Sequence, residues 1–146
     1  MKSQRFGIEI EMTGLTRRSA ALIIAKHFDT GFRHERGVYD TYSVCDQDGR
    51  KWKIVRDASI TPQCGNRFDY DPDYKVEVVS PICHYEDIET IQSIVRELRR
   101  NGHAKVNESC GIHIHVDASK HTARSLRNIA NIIAATRNGH LNIFCN

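Results

Sequence analysis

Two histidines two residues apart, His113 and His115, interleave with Ile112, Ile114 and Val116. Successive side chains of a β-strand point to opposite faces. This spacing therefore sets both imidazoles on one face and predicts that the three aliphatics pack the core on the other. Imidazoles held on a strand can bind a metal ion or a phosphate. Near the start of the chain, Phe6-Gly-Ile-Glu-Ile-Glu-Met12 alternates in the same way, with Gly7, Glu9 and Glu11 opposite Phe6, Ile8, Ile10 and Met12. A third short strand, Tyr74-Lys-Val-Glu-Val-Val79, sets Glu77 opposite Val76 and Val78. Each pattern alone is ordinary, because a polar strand face is usually just solvated. Together they present acids and imidazoles on what could be one surface. Like charges on neighbouring strands repel by roughly 0.2–1 kcal/mol per pair, so clustered carboxylates call for a cation. Carboxylate oxygens suit Mg²⁺ or Mn²⁺, and imidazole moves the preference towards Mn²⁺ or Zn²⁺. A Mg²⁺ site commonly shares its ion with substrate phosphates.

The elements that would position these residues follow from periodicity. Phe6–Met12 reads as a strand ended by Gly14. Thr16 to Phe28 reads as a helix, capped by Thr16, buried along Ala20, Ile23, Ile24 and Phe28, and stopped at Gly31. Val38–Val44 and Lys51–Val55 read as a hairpin around the turn signal Asp48-Gly49. Thr61 to Tyr74, with two prolines and a glycine, reads as a loop, either a lid or ordinary surface. His84 to Arg100 reads as a second helix buried along Ile88, Ile91, Val95 and Leu98, and closed by Gly102. Thr122 to Arg137 reads as a third, with Leu126, Ile129, Ala130 and Ile133 inward. The tail from Leu141 to Asn146 reads as a short strand or a frayed end. The order β-α-ββ-β-α-β-α suits an α+β fold. An antiparallel sheet would carry helices on one face and Glu9, Glu11, Glu77, His113 and His115 on the other.

Size and composition bound the function classes. At 146 residues, one domain over 1–146 is expected. The hydrophobic content of 40% and charged content of 27% are those of a globular protein. A formal charge of +3 is too weak to indicate nucleic acid and is compatible with an anionic substrate. Five cysteines, an odd count without Cys-x-x-Cys, argue against a disulfide framework or a thiolate zinc knuckle. They favour reduced thiols in the cytoplasm. No apolar run approaches the roughly 18 residues of a membrane helix, and no signal peptide is read at the start.

Four blocks, Phe6-Gly-Ile-Glu-Ile-Glu11, Arg56-Asp-Ala-Ser-Ile60, Val76-Glu-Val-Val-Ser-Pro81 and Cys110-Gly-Ile-His-Ile-His-Val116, resemble the amidoligase family. That family is related to glutamine synthetase and glutamate–cysteine ligase. The resemblance implies a glutamine synthetase catalytic-domain-like fold. It also implies ATP-dependent joining of a carboxylate to an amine through an acyl phosphate. The partner would be a small-molecule or peptide substrate bearing the carboxylate, together with an amine acceptor. By the same resemblance Glu9, Glu11, Glu77 and His113 would hold Mg²⁺ or Mn²⁺, and His113 and His115 would face ATP and substrate. Glu77, Asp57 and His115 would be catalytic. Asp57 matches the acid of an Asp-Gly-Ser block in which Ala58 replaces the glycine. These ligases are generally longer, so the C-terminal part of the full family domain is expected to be missing. Arg124, Arg127 and Arg137 on the third helix are read as solvated rather than phosphate-binding. Two alternatives follow: a non-catalytic remnant or interaction module that keeps the scaffold, and a zinc-dependent hydrolase built on His113, His115 and a carboxylate. Neither nucleic acid nor membrane is expected as a partner, and the sequence is compatible with an oligomer.

Overall fold

A computed structural model describes residues 4–135 apart from residue 66. The expected terminal strand and the last turn of the third helix lie outside the described residues. The first strand is β1 (Phe6–Met12), and the first helix is α1 (Arg17–His27). Thr16 caps α1, its Oγ accepting from the Ser19 N–H at 3.2 Å. The helix spans the expected segment, from its cap at Thr16 to its cap at Phe28; the turn that ends it is made by Asp29, at φ +52°, rather than by Gly31.

Three strands follow where one hairpin was expected: β2 (Phe32–Arg36), β3 (Thr41–Cys45) and β4 (Lys51–Val55). The segment read as a strand from Val38 is in part the β2–β3 turn. The missed strand, β2, has a weak apolar signal because its inward positions are Phe32 and His34, and His34 stacks on Tyr42 at 4.2 Å. The turn at Asp48-Gly49 is as expected. Asp46 Oδ1 accepts from the Asp48 and Arg50 N–H groups, and Gly49 takes φ +76°.

The Thr61–Tyr74 segment contains a small hairpin, β5 (Gln63–Cys64) with β6 (Arg67–Phe68). It is pinned on both sides. Gln63 N–H donates to Thr13 Oγ1 at 2.8 Å, and Arg17 Nη1 donates to the Pro72 carbonyl at 2.6 Å. The strand β7 (Val76–Val79) and the helix α2 (Ile88–Gly102) follow. The α2 entrance is held by Arg50, which donates to both Asp87 oxygens at 2.9 and 3.0 Å. Its exit is made by His103 at φ +58°. Gly102 has another use: a Cβ there would lie 2.8 Å from Leu15 Cδ1 and Ile23 Cδ1, so its absence lets α2 close on α1. The last described elements are β8 (Ile112–Val116) and α3 (Ala123–Ala135).

The main sheet has the order β2-β3-β4-β7-β1-β8, with every neighbouring pair antiparallel. The fold is thus α+β, as the element order suggested. Trp52, Ile54, Val44, Val76, Val78 and Met12 from the sheet form one core with Ala21 and Ile24 of α1 and Ile91, Ile94 and Leu98 of α2. Ile94 replaces Val95 on the buried side of α2, since Val95 and Ile88 are both exposed.

Two packing expectations fail. The aliphatic side of β8 is not in the core: Ile112, Ile114 and Val116 are 63%, 62% and 53% exposed. Among the described residues β8 is an edge strand, and the core built by α1 and α2 does not extend over it. The apolar side of α3 is also outside the core, with Leu126 and Ala130 exposed and Ile129 and Ile133 only half-buried.

Candidate metal centre

The pleat and the register bring the acids and imidazoles together. On the sheet face opposite the helices, Glu9 of β1 lies across from His113 of β8. Two residues along β1, Glu11 lies across from Glu77 of β7. Asp57 arrives from the segment after β4. Its Oδ1 accepts from the Ser59 N–H at 2.6 Å and from the Ser59 hydroxyl at 2.7 Å, which fixes a tight Asx turn. Ala58 does not take a left-handed backbone, so the turn requires no glycine there.

Two overlapping triads result. Candidate ligand atoms of Glu9, Glu77 and His113 lie within 4.8 Å of one another, as do those of Glu11, Asp57 and Glu77. Glu77 belongs to both. Glu11 and Glu77 are buried, at 5% and 9% exposure. Burial, followed by the charges of Glu9, Asp57 and Glu11, pushes the Glu77 carboxyl up from 4.5 to about 7, against a smaller opposing pull from His113. The donor set suits a hard divalent cation: four carboxylates and an imidazole sit within coordination reach, with strain that positive charge would relieve.

The surroundings hold these groups in place. The Gly111 N–H donates to Glu11 Oε2 at 2.6 Å, so the residue before β8 orients a carboxylate on β1. No side-chain signal could reveal this contact, because a backbone amide makes it. Glu9 Oε2 lies 3.3 Å from His113 Nδ1 and 3.2 Å from His115 Nε2. The second approach has poor hydrogen-bond geometry, leaving the buried His115 Nε2 without a hydrogen-bond partner among the described residues. His115 belongs to neither triad. It lines a cavity of about 370 Å³ with Gly7, Pro81 and Ile82, bordered by the Arg5–Asp117 pair. The Ser119 amide and Arg5 hold the Asp117 carboxyl at about 2.

All six residues expected at the site therefore share one face: Glu9, Glu11, Asp57, Glu77 and His113 in the triads, and His115 beside them. No described helix is long and apolar enough to cross a membrane.

A helix-backed antiparallel sheet with carboxylates and imidazoles gathered on its open face defines an α+β protein whose open face carries residues that could hold a divalent cation. The chain belongs to the amidoligase family: the family described as "Putative amidoligase enzyme" matches residues 2–139. Membership makes it a ligase-type enzyme of the amide-forming kind. No curated protein and no solved structure matches the chain.

Proposed function

We propose that this protein is an ATP-dependent carboxylate–amine ligase that works through an acyl phosphate, on a catalytic domain like that of glutamine synthetase. The observation that carries the reading is the pair of triads sharing Glu77, in a chain of the amidoligase family. A substrate carboxylate oxygen attacks the γ-phosphorus of ATP, and the bond to ADP breaks. The amine nitrogen then attacks the acyl carbon, phosphate leaves, and the surplus amine proton passes to a cluster carboxylate. Glu9, Glu77 and His113 would hold one Mg²⁺ or Mn²⁺, and Glu11, Asp57 and Glu77 a second. Held there, such ions would neutralise charge on the phosphate oxygens. Strand-borne carboxylates keep this geometry without reorganising. His115, whose Nε2 lies 3.2 Å from Glu9 Oε2, would contact the transferred phosphate or the substrate carboxylate. The cavity beside it would receive the substrate. A cytoplasmic setting fits the unpaired state of the four described cysteines.

The test is amide formation by the full chain. A panel of amino acids and peptides is incubated with Mg²⁺ and ATP, with hydroxylamine added to trap an acyl phosphate as a hydroxamate. ADP and hydroxamate should form together, and Glu77→Gln should abolish both while the circular dichroism spectrum is retained. Undiminished ligation by that variant would overturn the roles given to the triads. Zinc near one per chain with ATP-independent hydrolysis would replace the ligase reading.

A further inference from the structure

The register places one residue from each of the six strands in a single line across the open face. The line reads Arg33, Ser43, Lys53, Val79, Glu9 and His113. Its β1–β8 end belongs to the metal centre. Its other end is basic. Lys51, two residues along β4, shares the face and is engaged by Glu35, Nζ to Oε1 at 2.9 Å. Lys53 and Arg33 are exposed; the charge of Lys53 is felt by Glu35, but the structure shows no hydrogen bond or ion pair to either cation among the described residues. Glu35 offsets one of the three cations, so this half of the face keeps a positive surplus.

We propose that Lys53, with Arg33 behind it, binds the polyphosphate of the nucleotide as it extends from the metal centre across β7 and β4. This deepens the ligase reading and rests on it. Neighbouring strands are about 4.8 Å apart, so the Lys53 backbone stands about 10 Å from that of Glu9, with Val79 between them. A lysine side chain reaches across most of that gap, and the space left is of phosphate size. Charge balance points the same way. Glu9, Glu11, Glu77 and Asp57 together would offset two divalent ions, so the charge of an incoming polyphosphate must be met by other groups. Arg33 continues the line two strands beyond Lys53. Cations spaced in this way suit an extended polyanion better than a single carboxylate. Both sit on strands, so their backbones are already placed. The hydrophobic pattern of β4 accounts for Trp52 and Ile54 but does not require lysine between them.

The experiment uses the full chain with Mn²⁺ as a paramagnetic probe and ATP as the ligand. Mn²⁺ is titrated alone by electron spin resonance, and ATP is then titrated by calorimetry at saturating Mn²⁺. The proteins are wild type, Lys53→Met, Lys53→Arg and Arg33→Met. Mn²⁺ alone should bind all four alike. ATP affinity should fall about tenfold or more in Lys53→Met and less in Arg33→Met, since one charge-assisted hydrogen bond is worth roughly a tenfold change. Lys53→Arg should recover most of the loss. The salt dependence of ATP binding should weaken in both Met variants. Wild-type ATP affinity in Lys53→Met and Arg33→Met would overturn the inference and leave the ligase reading standing. Wild-type protein that binds Mn²⁺ but not ATP would sink both. A loss of Mn²⁺ binding in Lys53→Met would overturn the phosphate role by placing the residue in the ion site.

Discussion

Replacing Glu77 by Gln should stabilise the metal-free protein and destabilise it relative to wild type once metal is present. The two effects have one cause. Glu77 is 9% exposed and shares its surroundings with Glu9, Glu11 and Asp57, which together with burial raise its carboxyl from 4.5 to about 7. An acid whose folded value lies above its unfolded value takes up protons on folding. Its ionised form therefore costs stability, absent below the unfolded value and fully present above the folded one. One pKa unit is about 1.4 kcal/mol, which makes the whole penalty about 3 kcal/mol; coupling within the cluster lowers the part relieved by one substitution to about 2 kcal/mol. In a chelator at pH 8, Glu77→Gln should melt roughly 5–8 °C above wild type. The gap should shrink as pH falls from 7 and close near 4.5. Mn²⁺ should then raise the wild-type midpoint and leave the variant unmoved, reversing the order. Calorimetric melting in matched buffers reads both. Equal midpoints at pH 8 in chelator, or equal Mn²⁺ stabilisation of the two proteins, would refute the argument that Glu77 is a strained carboxylate awaiting a cation.

Gly14→Ala should cost about 2 kcal/mol or more, because Gly14 sits at φ +85° and a Cβ there would meet the His103 carbonyl oxygen at 2.8 Å; urea unfolding measures it. Arg17→Met should cost about 2 kcal/mol, since it removes the buried guanidinium that bonds Asp40 and Asp73 and releases the Pro72 and Lys75 carbonyls. Limited proteolysis should then open the segment between Thr61 and Tyr74 first, and protection equal to wild type would count against the pin. Arg50 above all holds the Asp87 carboxyl below its usual 3.8. That contribution is present above pH 4 and is lost as pH falls through the depressed value. Asp87→Asn should therefore be less stable than wild type at pH 6, with the difference vanishing in strong acid, as followed by circular dichroism.

Much of the site could be read from the chain because it rests on period-two alternation. Glu9, Glu11, Glu77, His113 and His115 each sit between apolar neighbours, and such residues have one face to occupy. The Thr16 cap and the Asp48-Gly49 turn are local signals and are found where the sequence predicts them. What escaped was non-local. β2 leaves little pattern in the sequence because an edge strand needs few apolar residues. The bare aliphatic side of β8 is not legible in the sequence, because alternation says which residues share a face, not whether anything covers it. The apolar stripe of α3 fails for the same reason. Gly102 resembled a helix stop but serves a close approach between helices, which depends on Leu15 and Ile23 far away in sequence. The line from Arg33 to His113 exists only through strand pairing across six elements.

The edge position of β8 has a kinetic consequence. The strand bearing both imidazoles is zipped to one neighbour only, and its outer amides have no partner strand among the described residues. Its local opening is therefore cheaper than global unfolding, and amide exchange along Ile112–Val116 should outpace that of β7. An ion shared by Glu9 and His113 would rivet β8 to β1, so that occupancy and strand closure would become one equilibrium. Anything that clasps the bare aliphatic side of β8 would tighten the ion without touching a ligand. Anything that frays the strand would release it.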